Sequence, residues 1–308
     1  MADGRAGIWM AGLAALVLSG GGATAADLNA KQLPVEAAAP AASAPFEFVF
    51  GARIQSDYNF RGISQSDHRE SGQTYGEAQF FDNFAYLGFA TYKTDLPTRP
   101  LMEFDLTGGI RPKFGPFTFD LGFIYYNYPF ERPLFGVPPL ANTDFLEFAG
   151  KVSYNYEDMF IVGANVFHTG NFVGTHADGT YVSGTAKYNI PEGFLGAFPS
   201  GFALSAEFGH YFLGRTAFNQ GGINLPDYNY GNVGLSYTYK AYTLDVRYHN
   251  TDLRKTECFT ISGDPRGFIT GSGRSNWCGD AVIATLSVDI VASKMLEQLG
   301  LEAPAVPR

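Results

Sequence analysis

The sequence predicts an all-β chain, a closed antiparallel up-and-down transmembrane β-barrel of about twelve strands. Three observations carry this. First, the 308 residues include 28 Phe, 18 Tyr and 37 Gly but only 17% charged residues. That composition suits helix interiors poorly, and its buriable aromatic area speaks against disorder. Second, from Phe46 onward the chain divides into segments of roughly ten to fourteen residues that alternate apolar and polar character. Third, the connections between segments alternate short and long, as in barrels with tight turns at one end and larger loops at the other. Beyond residue 25 no apolar run approaches the ~20 residues of a membrane helix. The net charge of −9 speaks against nucleic acid as a partner, which needs a basic footprint.

Residues 1–25 read as a signal peptide. Arg5 supplies the positive start, residues 8–18 the apolar core, and Ala23-Thr24-Ala25 the small-residue cleavage site. Residues 26–45 form an Ala/Pro-rich flexible leader. The barrel spans 46–290, and 291–308 follow as a periplasmic C-terminal tail.

The strands are expected at 46–60, 73–82, 84–94, 100–113, 116–127, 143–156, 159–168, 179–189, 201–212, 228–240, 241–252 and 280–290. In the eleventh, Tyr242, Leu244, Val246 and Tyr248 alternate with Thr243, Asp245, Arg247 and His249. In the twelfth, Val282, Ala284, Leu286, Val288 and Ile290 oppose Thr285, Ser287 and Asp289. Asp82-Asn83, Phe114-Gly115-Pro116, Glu157-Asp158 and Lys240-Ala241 make tight turns. The intervening connections 61–72, 95–99, 128–142, 169–178, 213–227 and 253–279 are mostly longer, and 190–200 breaks the rule by being long on the short side. Termini on one side require an even strand number. Closure follows because lipid offers no hydrogen-bond partner to a free sheet edge.

Aromatic residues near strand ends are assigned to interfacial girdles: Phe46, Tyr58, Tyr92, Tyr125, Tyr154, Tyr156, Tyr188, Tyr228, Tyr239 and Tyr248. Many outer-membrane barrels end on an aromatic strand, whereas this chain continues past it. There Met295, Leu296, Leu299 and Leu301 share one face of a short helix limited by Gly300 and Pro304. Cys258 and Cys278 would pair in an oxidising compartment, closing one external loop for roughly 3 kcal/mol in the loop-entropy view.

The run Ser56-Asp57-Tyr58-Asn59-Phe60-Arg61-Gly62-Ile63-Ser64-Gln65-Ser66 resembles the opening signature of the TorF-family porins. Asp227-Tyr228-Asn229-Tyr230 and Leu244-Asp245-Val246-Arg247-Tyr248-His249 are similar to later blocks of that family. The resemblance covers about 46–290. It implies an outer-membrane β-barrel acting as a channel.

Charged residues of a lipid-embedded barrel belong in the lumen or at the rims, since a lipid-facing Arg or Lys at mid-depth costs about 2–4 kcal/mol. Strand parity places Glu47, Asp57, Glu77, Glu103, Asp105, Asp120, Glu147, Glu207, Asp245 and Asp289 inward, with Arg53, Arg61, Arg111, Lys151, Lys187 and Arg247. The excess of acids favours cations in a water-filled pore. The same acids and bases can instead pair across strands and plug a small barrel. Arg61 to Ser66 can fold inward as a constriction, but bonds to the local backbone are the expected role of its Ser and Gln residues.

The residues point away from an enzyme. No Gly-x-Ser-x-Gly elbow is present, and a Ser236–His249 pairing across strands ten and eleven is the remaining hydrolase candidate. No ligand cluster has metal spacing, no cofactor is implied, and Asp144, Asp178 and Asp252 are read as solvated loop charge rather than a calcium site. The expected function is passive diffusion of small hydrophilic solutes through the outer membrane. A plugged structural or adhesive barrel and a lipid hydrolase are the rival readings. Expected partners are outer-membrane lipids, the solutes and the outer-membrane assembly machinery, with the oligomeric state left open.

Overall fold

Alternation at a period of two gives each strand one apolar and one polar face, and a chain of such strands can hide every backbone polar group only by closing on itself. The computed structural model describes residues 45–133, 142–196 and 199–301 and shows that closure. The strands are β1 (Phe46–Gln55), β2 (Ser71–Phe80), β3 (Ala85–Tyr92), β4 (Glu103–Ile110), β5 (Phe117–Asn127) and β6 (Phe145–Tyr156). They continue as β7 (Phe160–Phe172), β8 (Ala177–Asn189), β9 (Phe202–Leu213), β10 (Tyr228–Tyr239), β11 (Tyr242–Thr251) and β12 (Ala281–Val291). Each pairs antiparallel with its neighbours in sequence, for example Glu77↔Gly88 and Ile124↔Glu147. The register Arg53↔Ser287 joins β1 to β12 and shuts the barrel. The predicted signal peptide and leader up to residue 44, and the tail from 302, lie outside the described residues.

The tight turns and both strand termini fall at one end. The β7–β8 connection is shorter than expected, only 173–176, because both strands run beyond the expected limits past a bulge between Thr169 and Phe172. Outward positions are apolar and exposed, as Leu87 (57%), Phe148 (62%), Phe208, Leu244 and Leu286 show. With a continuous ladder and this outer face, the chain is a transmembrane β-barrel of the outer-membrane type. No helix among the described residues is long and apolar enough to cross a membrane; the strands do so.

Two elements differ from the sequence reading. The first strand stops at Gln55 rather than at residue 60, and residues 56–70 turn into the barrel. Tyr58, Tyr92 and Tyr228, expected in the girdles, are buried inside instead. Tyr92 and Tyr228 carry inward parity, and Tyr58 belongs to the infolded segment. Phe46, Tyr156 and Tyr239 are exposed.

The β11–β12 loop carries helices α1 (Lys255–Ser262) and α2 (Pro265–Ile269), and its Cys258 is disulfide-bonded to Cys278. At the opposite end the chain continues into α3 (Met295–Leu299), stopped by Gly300 in the left-handed region (φ 73°). Gln298 Oε1 accepts the Val291 N–H at 2.8 Å, and Ser293 bonds Glu47, so this segment is fastened under the seam between β1 and β12.

Candidate functional site in the barrel lumen

Residues 57–66 fold as a small hairpin. Ser64 donates to Asp57 Oδ1 (2.6 Å), Ser66 Oγ accepts the Tyr58 N–H (2.9 Å), and Asn59 Oδ1 accepts the Gly62 N–H (2.8 Å). Asn59 and Phe60 pair with Ser64 and Ile63, leaving Arg61 (φ 45°) and Gly62 (φ 89°) as the two turn residues. Two positive φ values in succession are the signature of the tight hairpin turn that suits glycine at its second position. At Gly62 a Cβ would sit 2.0 Å from Thr251 Cγ2, so the tip is pressed against the wall at β11.

Arg61, at that tip, is 1% exposed. Its Nη1 and Nη2 donate to Glu147 Oε1 and Oε2 at 2.8 and 2.9 Å. The guanidinium carbon lies 4.5–4.9 Å from the ring centroids of Phe60, Phe167, Tyr181 and Tyr211. Glu147, itself fully buried, also accepts the hydroxyls of Tyr126 (2.9 Å) and Tyr211 (3.2 Å). A planar cation with aromatic faces around it and a bidentate carboxylate is well compensated for its loss of water.

From outside, the disulfide loop holds the hairpin in place. The carbonyl of Trp277 accepts the Ser64 N–H (2.8 Å), and Trp277 Nε1 donates to Asp67 Oδ1 (2.7 Å). His68 bridges the two pieces, with Nδ1 3.0 Å from Asp57 Oδ2 and Nε2 2.7 Å from the Asn276 carbonyl. Both partners are acceptors, so both bonds together require the doubly protonated imidazolium. The hydrogen bond to Asp57 raises the His68 pKa above its ordinary value, against the opposing effect of burial.

Below the hairpin the wall is laced by further groups. Arg111 lies 3.6 Å from the Tyr86 ring centroid, bonds Glu77 twice (2.7 and 2.8 Å) and reaches Asp120 (3.1 Å). Arg247 bonds Asp245 (3.0 Å) and Asn232 (2.6 Å). Tyrosine hydroxyls donate to many lumen carboxylates: Tyr58 to Glu103, Tyr75 to Asp289 (2.5 Å) and Tyr181 to Glu207 (2.7 Å).

Parity in the ladders turns Arg53, Glu77, Glu103, Asp105, Glu147, Lys151, Lys187, Glu207, Asp245, Arg247 and Asp289 inward, and Arg111, one residue past the end of β4, is buried on the same side. Asp57 and Arg61 enter the lumen on the hairpin rather than on a strand. The Ser and Gln residues of 61–66 bond locally as expected, Gln65 to the Ile63 carbonyl and Ser66 to the Arg69 carbonyl, while the segment also folds inward and Arg61 crosses to the far wall. Ser236 and His249 do not meet: His249 Nδ1 is 2.8 Å from the Tyr230 hydroxyl, and Ser236 faces the Ala203 carbonyl. Asp144 and Asp252 accept local bonds in separate loops, from Tyr128 N–H and Asn229 N–H respectively. No cluster of three or more metal-ligating side chains occurs among the described residues. The aromatic cage escaped the sequence reading, although Tyr126, Tyr181 and Tyr211 share the parity of Asp120, Lys187 and Glu207.

A closed barrel with an apolar exterior and a charged, tyrosine-lined interior defines a porin-like outer-membrane protein. The chain belongs to the family described as "Bacterial protein of unknown function (Gcw_chp)", which it matches over residues 38–272. Among solved structures it is similar to the KdgM porin (10% identity, TM-score 0.44, covering 79% of this chain and 98% of that one). Similarity to the NanC porin is of the same order (11% identity, TM-score 0.46, 79% and 98%). OpdK of Pseudomonas aeruginosa gives 12% identity and a TM-score of 0.37, covering 72% and 58%. No curated protein matches the chain.

Proposed function

We propose that the chain is an outer-membrane channel for passive diffusion of small hydrophilic solutes, shut in this conformation by the 57–66 hairpin. One observation carries the reading. The obstruction is a separate segment, joined in the chain to β1 at Gln55 and to β2 at Ser71 and held elsewhere by side-chain contacts and a few loop and strand-end bonds, so it can withdraw without breaking a ladder of the barrel. Behind it lie the inward charges that would line the path. Glu103 and Asp105 make no ion pair among the described residues, and once the hairpin withdraws and water reaches them they would stand on the path as uncompensated acids, which supports a preference for cations. The resemblance of residues 56–66 to the TorF-family porins supports the same reading.

A second reading has its own support. Complete burial of Arg61 and Glu147 fits a permanently plugged structural barrel. Purified protein in planar bilayers separates the two. The channel reading expects brief openings between long closures, with a reversal potential in a salt gradient on the cation-selective side. A chloride-selective reversal potential would overturn the cation preference. Silence in the wild type and in hairpin-weakened variants alike would leave the plugged barrel.

A further inference from the structure

We propose that the pocket filled by Arg61 is a binding site for organic cations bearing a guanidinium group, and that the hairpin is its tethered occupant. The inference rests on the channel reading and names a solute class for it. When the hairpin withdraws, Phe60 leaves with Arg61, but the remainder of the cage belongs to the wall. Phe167, Tyr181 and Tyr211 stand on consecutive strands β7, β8 and β9, and Glu147 stands on β6. Their arrangement is held independently of the hairpin. Tyr181 packs edge-on against Tyr211 (5.6 Å between centroids) and donates to Glu207, while Tyr126 donates to Glu147.

The geometry selects the ligand. Two carboxylate oxygens at 2.8 and 2.9 Å from two guanidinium nitrogens fit a planar fork, which a spherical ammonium or a metal ion does not reproduce. The aromatic rings attract a weakly hydrated organic cation more than a strongly hydrated one. A free guanidinium solute reaching this depth must compete with Arg61, whose tether gives it a high effective concentration. The site therefore couples solute entry to displacement of the hairpin: the cation that fits replaces the one that blocks.

The test uses agmatine as probe and the full-length protein in detergent, with folding checked by heat-modifiable electrophoretic mobility. Calorimetric titration is expected to show agmatine binding to Arg61→Ala about ten-fold or more tightly than to Arg61→Ala/Glu147→Gln, and more tightly than to the wild type. In planar bilayers the same ligand is expected to block current through Arg61→Ala. Arg61→Gln, which keeps a polar side chain, carries both measurements if the alanine chain does not fold. Equal binding by the folded single and double variants overturns the site. Current without binding rejects the site and leaves the channel standing, whereas binding without current retains the site and rejects the channel.

Discussion

The guanidinium of Arg61 and the carboxylate of Glu147 meet in two parallel bonds of 2.8 and 2.9 Å, although 86 positions separate them in the chain. One residue belongs to a hairpin and the other to the wall, so their bond reports whether the hairpin is seated in the barrel. Were both partners fixed, removing one would strand a buried charge at a cost of about 3–5 kcal/mol. A hairpin able to withdraw can return Arg61 to water instead. Glu147→Leu is therefore expected to lower barrel stability by less than about 3 kcal/mol in urea unfolding from lipid vesicles, since the stranded cation escapes. Loss of the full penalty would mark the hairpin as an inseparable part of the core.

Gly62 provides a steric version of the same test. A side chain there meets Thr251 Cγ2 at 2.0 Å and Tyr230 Cδ2 at 2.9 Å, at a φ of 89°. The backbone conformation alone costs an L-residue about 1–2 kcal/mol. Gly62→Ala is expected to unseat the tip, exposing the bond after Arg61 to trypsin, whereas the wild type resists cleavage there. Mass spectrometry of the digest identifies the cut. Equal resistance in both chains would show that the tip accommodates a methyl group without moving.

Closure should weaken at high pH. The His68 pKa is raised, first by its bond to Asp57 and further by the Asn276 carbonyl and by Asp67, with burial opposing. Asp67 is itself paired with Arg69 (3.1 Å) and Arg266 (2.5 Å), which moderates its effect. A raised folded-state value means that the clamp's contribution is fully present below the ordinary histidine pKa of about 6.5 and is lost as pH rises through the raised value. Open probability should climb across that window, and His68→Gln should flatten the profile. A climb toward acid instead would give the clamp the wrong sign.

Reduction of Cys258–Cys278 should loosen the outer tier and spare the barrel. The loop it closes supplies Asn276 and Trp277, which hold His68, Ser64 and Asp67. Trp277 is 3% exposed, and in a chain begun at Ala26 it is the sole tryptophan. Dithiothreitol is expected to red-shift its fluorescence while the β-sheet circular dichroism stays constant. An unchanged emission maximum would mean that the strand ends and helices hold the loop without the disulfide.

The barrel was legible because its signals are local and periodic. Alternation of Tyr242 through His249 fixes one strand face, and turns such as Glu157-Asp158 mark reversals. The hairpin was legible only as an open alternative, an inward fold of residues 61–66, for the opposite reason. Asp57, Tyr58, Asn59 and Phe60 continue the alternating pattern of β1, and nothing local distinguishes the end of a strand from a two-residue ribbon turning inward. What decides is the partner: Glu147 with its ring of tyrosines, brought to Arg61 only when the barrel closes. Tyr58, Tyr92 and Tyr228 misled for a related reason, since a tyrosine near a strand end suits either an interface or a lumen carboxylate, and only parity separates them.

The most direct measurement is planar-bilayer current through purified wild-type protein and Arg61→Ala under identical salt and voltage. The expected result is long closures in the wild type and a steady ohmic conductance in the variant. Equal conductance in the two, or silence in both with the variant shown to be folded, would contradict a channel stoppered by the 57–66 hairpin.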